Sequence, residues 1–390
     1  MTPKVSGLRI AKRLDEVGFS DIVQIRNKVM ALRAAGEKVH MLHGGEPYFE
    51  TPEPIKYAAI QALVDNQTHY AASSGIAPLR EALAAKLTTK NNIPATPEQV
   101  IATVGGSQAL YGAFQCVLDP GDDALVFSPY WTPIADLIRG AQARPLLVPT
   151  STARRNGITS TLAQFSTANT RCIYYNTPQN PSGVVFTRDE AEEVAAFAME
   201  RDLIVVADEA YEDLVYDGTH FSIASLPGMA ERTITCFTFS KTYAMTGWRG
   251  GYAHAPEPFM TALRKIVLYS TNGVSTPVQY AMLQALKTPE SEIEFRREEY
   301  RKRRALLVDG LNSVGLDCEP PAGAFYAFPN VEKIHRNSRT AAEILLEKAH
   351  IATIPGSVFG AQGEGHLRFG YAISIPEIEA CVGALKQFFA

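Results

Sequence analysis

Thr233-Ile-Thr-Cys-Phe-Thr-Phe-Ser-Lys-Thr-Tyr-Ala-Met-Thr-Gly-Trp-Arg249 runs from an apolar segment into a polar turn. The apolar part, residues 233–239, reads as a buried strand. It delivers Lys241 to the strand's end, with hydroxyls at Thr238 and Ser240 ahead of it and Arg249 eight residues further on. A lysine there is costly to desolvate, so its position calls for a function. Further candidate strands lie at residues 100–104, 124–127, 172–175, 203–207 and 251–255. Several are continuously apolar, as in a sheet buried on both faces, and the intervening segments are long enough for crossover helices. The pattern predicts an α/β fold with a mostly parallel central sheet. Ligands of such folds bind beyond the carboxyl ends of the strands. Gly105-Gly-Ser107, Asn180, Asp208 and Lys241 follow those ends.

From about residue 290 the character changes. A charged helix (292–311) is followed by the turn Pro321-Ala-Gly-Ala-Phe-Tyr326, a helix (340–350), a strand-like 352–355 and His366-Leu-Arg-Phe-Gly-Tyr371. This predicts a smaller α+β domain built from both termini, with a helix at 22–35 packing on it. The expected division is 1–47 and 291–390 for the small domain and 48–290 for the large one.

Composition sets the outer limits. The 390 residues are 46% hydrophobic and 20% charged, with a net charge of −4, ordinary for a globular protein and without overall attraction to nucleic acid or anionic membrane. The basic cluster Arg296-Arg-Glu-Glu-Tyr-Arg-Lys-Arg-Arg304 carries interleaved glutamates and reads as a solvated helix face. Five cysteines lie scattered, without a Cys-x-x-Cys or a Cys/His cluster of metal-ligand spacing; no metal is expected, and small buried thiols in a reducing compartment are. No apolar run approaches the roughly 20 residues of a membrane helix, and the first twenty residues lack a signal-peptide core. A cytoplasmic protein is the expectation.

Lys241 and Arg249 suit one kind of cofactor. A lysine can form a Schiff base with a carbonyl group, and an arginine can grip a phosphate; together they point to pyridoxal phosphate. Asp208, ending an apolar strand, could hold a metal, but the chain has no Gly-x-x-x-x-Gly-Lys-Ser/Thr loop to accompany it. It could instead keep a pyridine nitrogen protonated, with Tyr211 donating to the ring's phenolate oxygen. Gly105-Gly106-Ser107, between a strand and a helical run, makes a phosphate cup or a plain helix cap. The same residues approach the Gly-x-Ser-x-Gly elbow of a serine hydrolase, and Asp208 and His366 follow in that order; such a hydrolase leaves Lys241, Arg249 and Arg368 without roles. Trp131 could stack on a flat ring or simply pack. Asn180 could bond the ring oxygen or serve only its turn. Arg368, in an apolar segment, needs an anion, which could be a substrate carboxylate or a structural partner.

These residues resemble the class I aminotransferases, fold-type-I pyridoxal-phosphate enzymes similar to aspartate aminotransferase. The match runs through Gly44-Gly-Glu-Pro-Tyr-Phe49, Tyr70-Ala-Ala-Ser-Ser-Gly75, Val104-Gly-Gly-Ser-Gln-Ala109, Ser128-Pro-Tyr-Trp131, Asn180-Pro-Ser-Gly183, Asp208-Glu-Ala-Tyr211, Ser240-Lys-Thr, Met245-Thr-Gly-Trp-Arg249, Gly323-Ala-Phe-Tyr326 and Arg368. The resemblance implies that Lys241 carries the cofactor and moves the proton. Asp208 partners the pyridinium, Tyr211 and Asn180 bond the ring oxygen, and Trp131 stacks on the ring. Gly106, Ser107, Thr238, Ser240 and Arg249 cradle the phosphate. Tyr70 reaches the neighbouring subunit's phosphate, making a homodimer. Arg368, with Gly45 and Asn180, takes the substrate carboxylate.

The implied reaction is a ping-pong transfer of an α-amino group from an L-amino acid to a 2-oxo acid. Ser107 stands where some relatives carry a lysine for a distal acid, and residues 271–276 lack the arginine that others use. A neutral, aromatic or basic donor is therefore expected over aspartate, with His43, Tyr48 and Asn272 lining the side-chain pocket. Gly250-Gly251 replaces a bulkier apolar residue after Arg249, which should loosen packing. The alternatives are a β-eliminating lyase or cyclising enzyme on the same fold, the hydrolase, and a non-catalytic regulator body; the last needs a long N-terminal extension before residue 45.

Overall fold

The computed structural model describes residues 10–18 and 21–390; the reading of the first twenty residues falls largely outside that range. After the two-residue strand β1 (His40–Met41), seven strands form one sheet: β2 (Val100–Val104), β3 (Asp123–Ser128), β4 (Arg144–Pro149), β5 (Thr170–Asn176), β6 (Ile204–Asp208), β7 (Thr233–Thr238) and β8 (Gly250–His254). Their order is β2-β8-β7-β6-β5-β3-β4. All run the same way except β8, which is antiparallel to both neighbours.

The unbroken apolar runs have a simple cause. Successive side chains of a strand point to opposite faces, and helices cover both faces here. Cys172, Tyr174 and Val206 join the helices Gly105–Val117, Pro133–Gly140 and Phe259–Thr271 in one core. Ile173, Tyr175, Val205 and Ala207 join Ile158–Phe165 and Arg188–Glu200 in another. Each expected strand lies within two residues of an observed one. β4 is a further strand that was not expected: it carries prolines at 145 and 149 and pairs only with β3, an edge position that tolerates residues without an N–H.

Beyond the sheet come the helix Glu290–Ser313, β9 (Tyr326–Ala327), the helix Ser338–Ala349, β10 (Ile351–Ala352), β11 (Ile354–Pro355), β12 (Leu367–Gly370) and the helix Ile375–Phe389. The order β11-β12-β9 makes an antiparallel three-stranded sheet, and β1 pairs parallel with β10. Leu42 thereby enters the same core as Leu307, Phe325, Leu345 and Leu385. The helix Asp21–Ala34 packs as expected, with Val29 buried against Leu346 and Ala352 and Lys28 3.7 Å from Glu347.

The basic cluster departs from the expectation of a fully solvated face. Arg297, Arg301 and Lys302 do pair with glutamates three residues back. Arg296 and Arg303 are buried instead. Arg303 donates to the Ile373 carbonyl at 2.9 Å and lies 4.4 Å from the centre of the Tyr48 ring, so this side of the helix faces aromatic surface.

Candidate active site

Lys241 follows β7 into the space between the large sheet and the 44–49 segment. Its Nζ donates to the Gly45 carbonyl at 2.6 Å and lies 5.7 Å from the centre of the Tyr211 ring and 5.6 Å from that of Phe325. Burial, with Arg368 and Arg249 nearby, pulls its pKa down to about 8. The neutral amine is thus accessible near physiological pH, as a nucleophile or proton carrier requires.

Around it the chain builds an anion seat. The helix Gly105–Val117 starts directly at the end of β2 with no side-chain cap on its first N–H groups, and its first two residues lie against Thr238 and Gly251. Gly105 has φ +72°, and a Cβ there would stand 2.5 Å from an Arg249 guanidinium nitrogen. A Cβ on Gly106 would meet Thr238 at 3.3 Å. The Thr238 and Ser240 hydroxyls are 2.9 Å apart. Arg249 spends one nitrogen on the Thr246 carbonyl at 2.8 Å, and among the described residues no carboxylate lies in ion-pair range of it. Ser107 is exposed in the first helical turn. The glycine expected to loosen this region does the opposite: a Cβ on Gly251 would lie 2.4 Å from the Gly105 carbonyl carbon and 2.6 Å from the Gly106 nitrogen. Its bare backbone lets β8 and the anion seat close on each other.

On the same side of the sheet, Asp208 is buried at the end of β6. It accepts a hydrogen bond from Tyr174 on the adjacent strand at 2.7 Å and from the Ala210 N–H at 3.2 Å. Burial pushes its pKa up to about 6 despite those two bonds. Tyr211, one turn on, shares a 2.8 Å hydrogen bond with Tyr326.

Arg368 on β12 is 3% exposed. One nitrogen donates to Asn180 Oδ1 at 3.0 Å and another to the His43 carbonyl at 3.1 Å, while Nε is buried without a partner. No carboxylate among the described residues pairs with it. A buried guanidinium bonded only to neutral oxygens keeps its full charge available for an anion. Gly45 adjoins the site: a Cβ on it would stand 3.1 Å from the Tyr326 hydroxyl.

Trp131 is half-buried and packs against the core on the Asp208 side of the sheet. Tyr70 is 94% exposed on this chain. Tyr48 is exposed and stacked on Arg303, His43 is half-buried, and Asn272 caps the helix Phe259–Thr271 in the left-handed conformation at φ 56°. The hydrolase arrangement is not assembled. His366 stacks on Phe328 and faces the Glu364 carbonyl, and Asp208 is held by Tyr174. Sequence reasoning assigned no role to Tyr174 or Tyr326. The first looks like any core aromatic of β5; the second was visible only as the last residue of Gly323-Ala-Phe-Tyr326.

A phosphate suits the 105–106, 238–240 and 249 seat, an aldehyde suits Lys241, and a ring nitrogen suits the buried Asp208, so the residues fit pyridoxal phosphate. Comparison with known proteins agrees. Residues 37–385 match the family described as aminotransferase class I and II. An aspartate/prephenate aminotransferase of Thermus thermophilus is 40% identical over 387 residues, covering 97% of each chain. An aromatic-amino-acid aminotransferase 2 of Thermococcus litoralis is 38% identical over 385 residues, covering 97% of this chain and 98% of that one. The solved structure of the aspartate aminotransferase from Thermus thermophilus with maleate matches with a TM-score of 0.92 at 39% identity, over 98% of this chain and 99% of the other. The chain belongs to the class I and II aminotransferases. It is a transaminase that uses pyridoxal phosphate and acts on amino and 2-oxo acids.

Proposed function

We propose that the chain moves the α-amino group of an L-amino acid to a 2-oxo acid by a ping-pong sequence in which Lys241 first holds the cofactor and then shuttles the proton. Pyridoxal phosphate, when bound, supplies an aldehyde for a primary amine and a ring that withdraws electrons from the neighbouring carbon. Gly106, Ser107, Thr238, Ser240 and Arg249 would hold its phosphate, Asp208 its ring nitrogen, Tyr211 and Asn180 its ring oxygen, and Trp131 its face. Arg368, preset by Asn180 and flanked by Gly45, takes the α-carboxylate bidentately and so orients the Cα–H bond. Lys241 Nζ, whose lowered pKa makes the neutral amine easier to reach, accepts that proton and returns it.

The observation that carries this reading is the placement of Lys241, whose Nζ donates to a neutral carbonyl at 2.6 Å between the Gly105–Arg249 seat and the buried Asp208. The test is half a turnover: amino acids added one at a time without a 2-oxo acid, followed in the visible spectrum. Loss of the yellow band with appearance of a pyridoxamine band is expected, and Lys241→Ala should abolish it; normal turnover by that variant would end the proposal.

The donor we propose is neutral, aromatic or basic. Ser107 presents a hydroxyl and no cation to a distal acid. The relatives' names include both aspartate and aromatic amino acids, so the comparison to make is kcat/KM for phenylalanine against aspartate. A higher value for aspartate overturns the preference.

We further propose a cytoplasmic homodimer in which the exposed Tyr70 reaches the partner's phosphate seat, and a small domain (1–47 with 291–390) that moves against the large one (48–290). Among the described residues, no helix is long and apolar enough to cross a membrane.

A further inference from the structure

Tyr326 is 1% exposed, and its hydroxyl has Tyr211 as its hydrogen-bonding partner at 2.8 Å. Its ring lies 4.3 Å beneath the Arg368 guanidinium. We infer that Tyr326 is a positioning residue: it donates its proton to the Tyr211 oxygen, so that Tyr211's own proton is aimed at the cofactor's ring oxygen. This rests on the role proposed above for Tyr211.

Either hydroxyl can donate in this pair; two considerations favour Tyr326 as the donor once the cofactor's ring oxygen is there to accept from Tyr211. Each phenol has one proton and can accept as well as donate. If Tyr211 donated to Tyr326, the Tyr326 proton would be buried without an acceptor, a costly arrangement. If Tyr326 donates, its proton is used and Tyr211's remains free to bond outward. The positive charge on the Tyr326 ring face acts the same way, since a nearby cation favours loss of a phenolic proton and makes the hydroxyl a stronger donor. A chain of two hydroxyls then polarises the outer O–H beyond what one tyrosine offers alone. The bare backbone of Gly45 leaves room for the Tyr326 hydroxyl: a Cβ there would stand 3.1 Å from it. The charged and titratable groups facing the pair are Arg368 from β12, Asp208 from β6, and Lys241.

A donor at the ring oxygen favours its deprotonated form. The readout is therefore the pH midpoint of the visible band of the cofactor-loaded protein, measured without substrate, for wild type, Tyr326→Phe, Tyr211→Phe and the double variant. Phenylalanine at 326 preserves the ring, its packing and its contact with Arg368. Tyr326→Phe should raise the midpoint by about 0.2–0.5 pH unit, roughly a two- to threefold change in the proton-binding constant. In the Tyr211→Phe background the same change should shift nothing, because Tyr326 acts through Tyr211. A fall in the midpoint would show that Tyr211 donates to Tyr326, and no shift would show that the bond is merely structural; either overturns the inference. An equal shift in both backgrounds would place Tyr326 in direct action on the cofactor and overturn it too. If Tyr211→Phe itself leaves the midpoint unmoved, the role of Tyr211 fails and takes the inference with it. Melting curves of the four proteins identify any variant whose shift reflects loss of fold.

Discussion

Tyr174 and Asp208 are joined side chain to side chain across adjacent strands at 2.7 Å, both buried. The bond supports a carboxylate that burial nonetheless pushes from its ordinary 3.8 to about 6. The sign follows from linkage. A folded-state pKa above the unfolded one means that the native chain holds the proton more tightly, so this stability is present at low pH and lost as pH rises from about 4 through about 6. Asp208→Asn removes the buried charge. The cofactor-free variant should match wild type near pH 4 and exceed it by on the order of 2 kcal/mol at pH 7.5, while holding pyridoxal phosphate far more weakly. Thermal melts at the two pH values, with cofactor titration, check both halves.

Adjacent glycines on β8 should behave differently. Gly251→Ala drives a methyl into the Gly105–Gly106 backbone at 2.4–2.6 Å, whereas Gly250→Ala meets the Met282 side chain at 3.0 Å. Backbone cannot yield as a thioether can. Gly251→Ala should cost about 1–3 kcal/mol and weaken cofactor retention with it. Gly250→Ala should cost less in both. Denaturant unfolding and cofactor dissociation constants separate the two cases.

Arg368→Gln should act on substrate binding and leave the cofactor spectrum in place. Truncating one partner of a buried charge pair costs about 2–5 kcal/mol, so kcat/KM should fall by roughly 30-fold to several thousandfold. Arg368→Lys keeps the charge and loses the fork, and should recover only part of this. Steady-state kinetics with the same amino donor for all three proteins gives the comparison.

Behind the sheet, Glu209 accepts from His220 at 2.8 Å and from Ser222 at 2.6 Å. Burial alone would lower the pKa of His220, but the charge and hydrogen bond of Glu209 raise it overall. This stability is complete below the ordinary histidine value of 6.5 and declines as pH rises through the raised one. His220→Gln should therefore narrow its stability deficit against wild type between pH 6 and pH 9. A deficit that stays constant across that range would show that the pair gains nothing from its charge.

Much of the fold was open to reading because a sheet covered on both faces needs apolar residues at every position, and residues 172–175 or 203–207 supply them. β4 escaped because its packing demands are met by three residues between prolines. The site was legible where a costly residue stood out: a lysine after a core strand, an arginine inside an apolar one. Tyr174 and Tyr326 were hidden for the opposite reason, since a buried tyrosine is ordinary until its hydroxyl is seen to have one specific partner. Arg303 misled because charge on a helix suggests water, and only the fold shows the aromatic surface under it. The Gly251 contact depends on the approach of two backbones distant in sequence, which no local pattern announces.

The antiparallel course of β8 has a kinetic consequence. Because β8 starts at the edge where β7 ends, Thr238, Ser240, Lys241 and Arg249 come from one short excursion of the chain. The Lys241–Gly45 and Arg368–Asn180 hydrogen bonds instead join residues 196 and 188 positions apart. Short loops close at lower entropic cost and sooner than long ones. A refolding chain should consequently shape the 238–249 half of the proposed phosphate seat before the proposed carboxylate seat at Arg368, so that the two ends of one candidate site are born at different times.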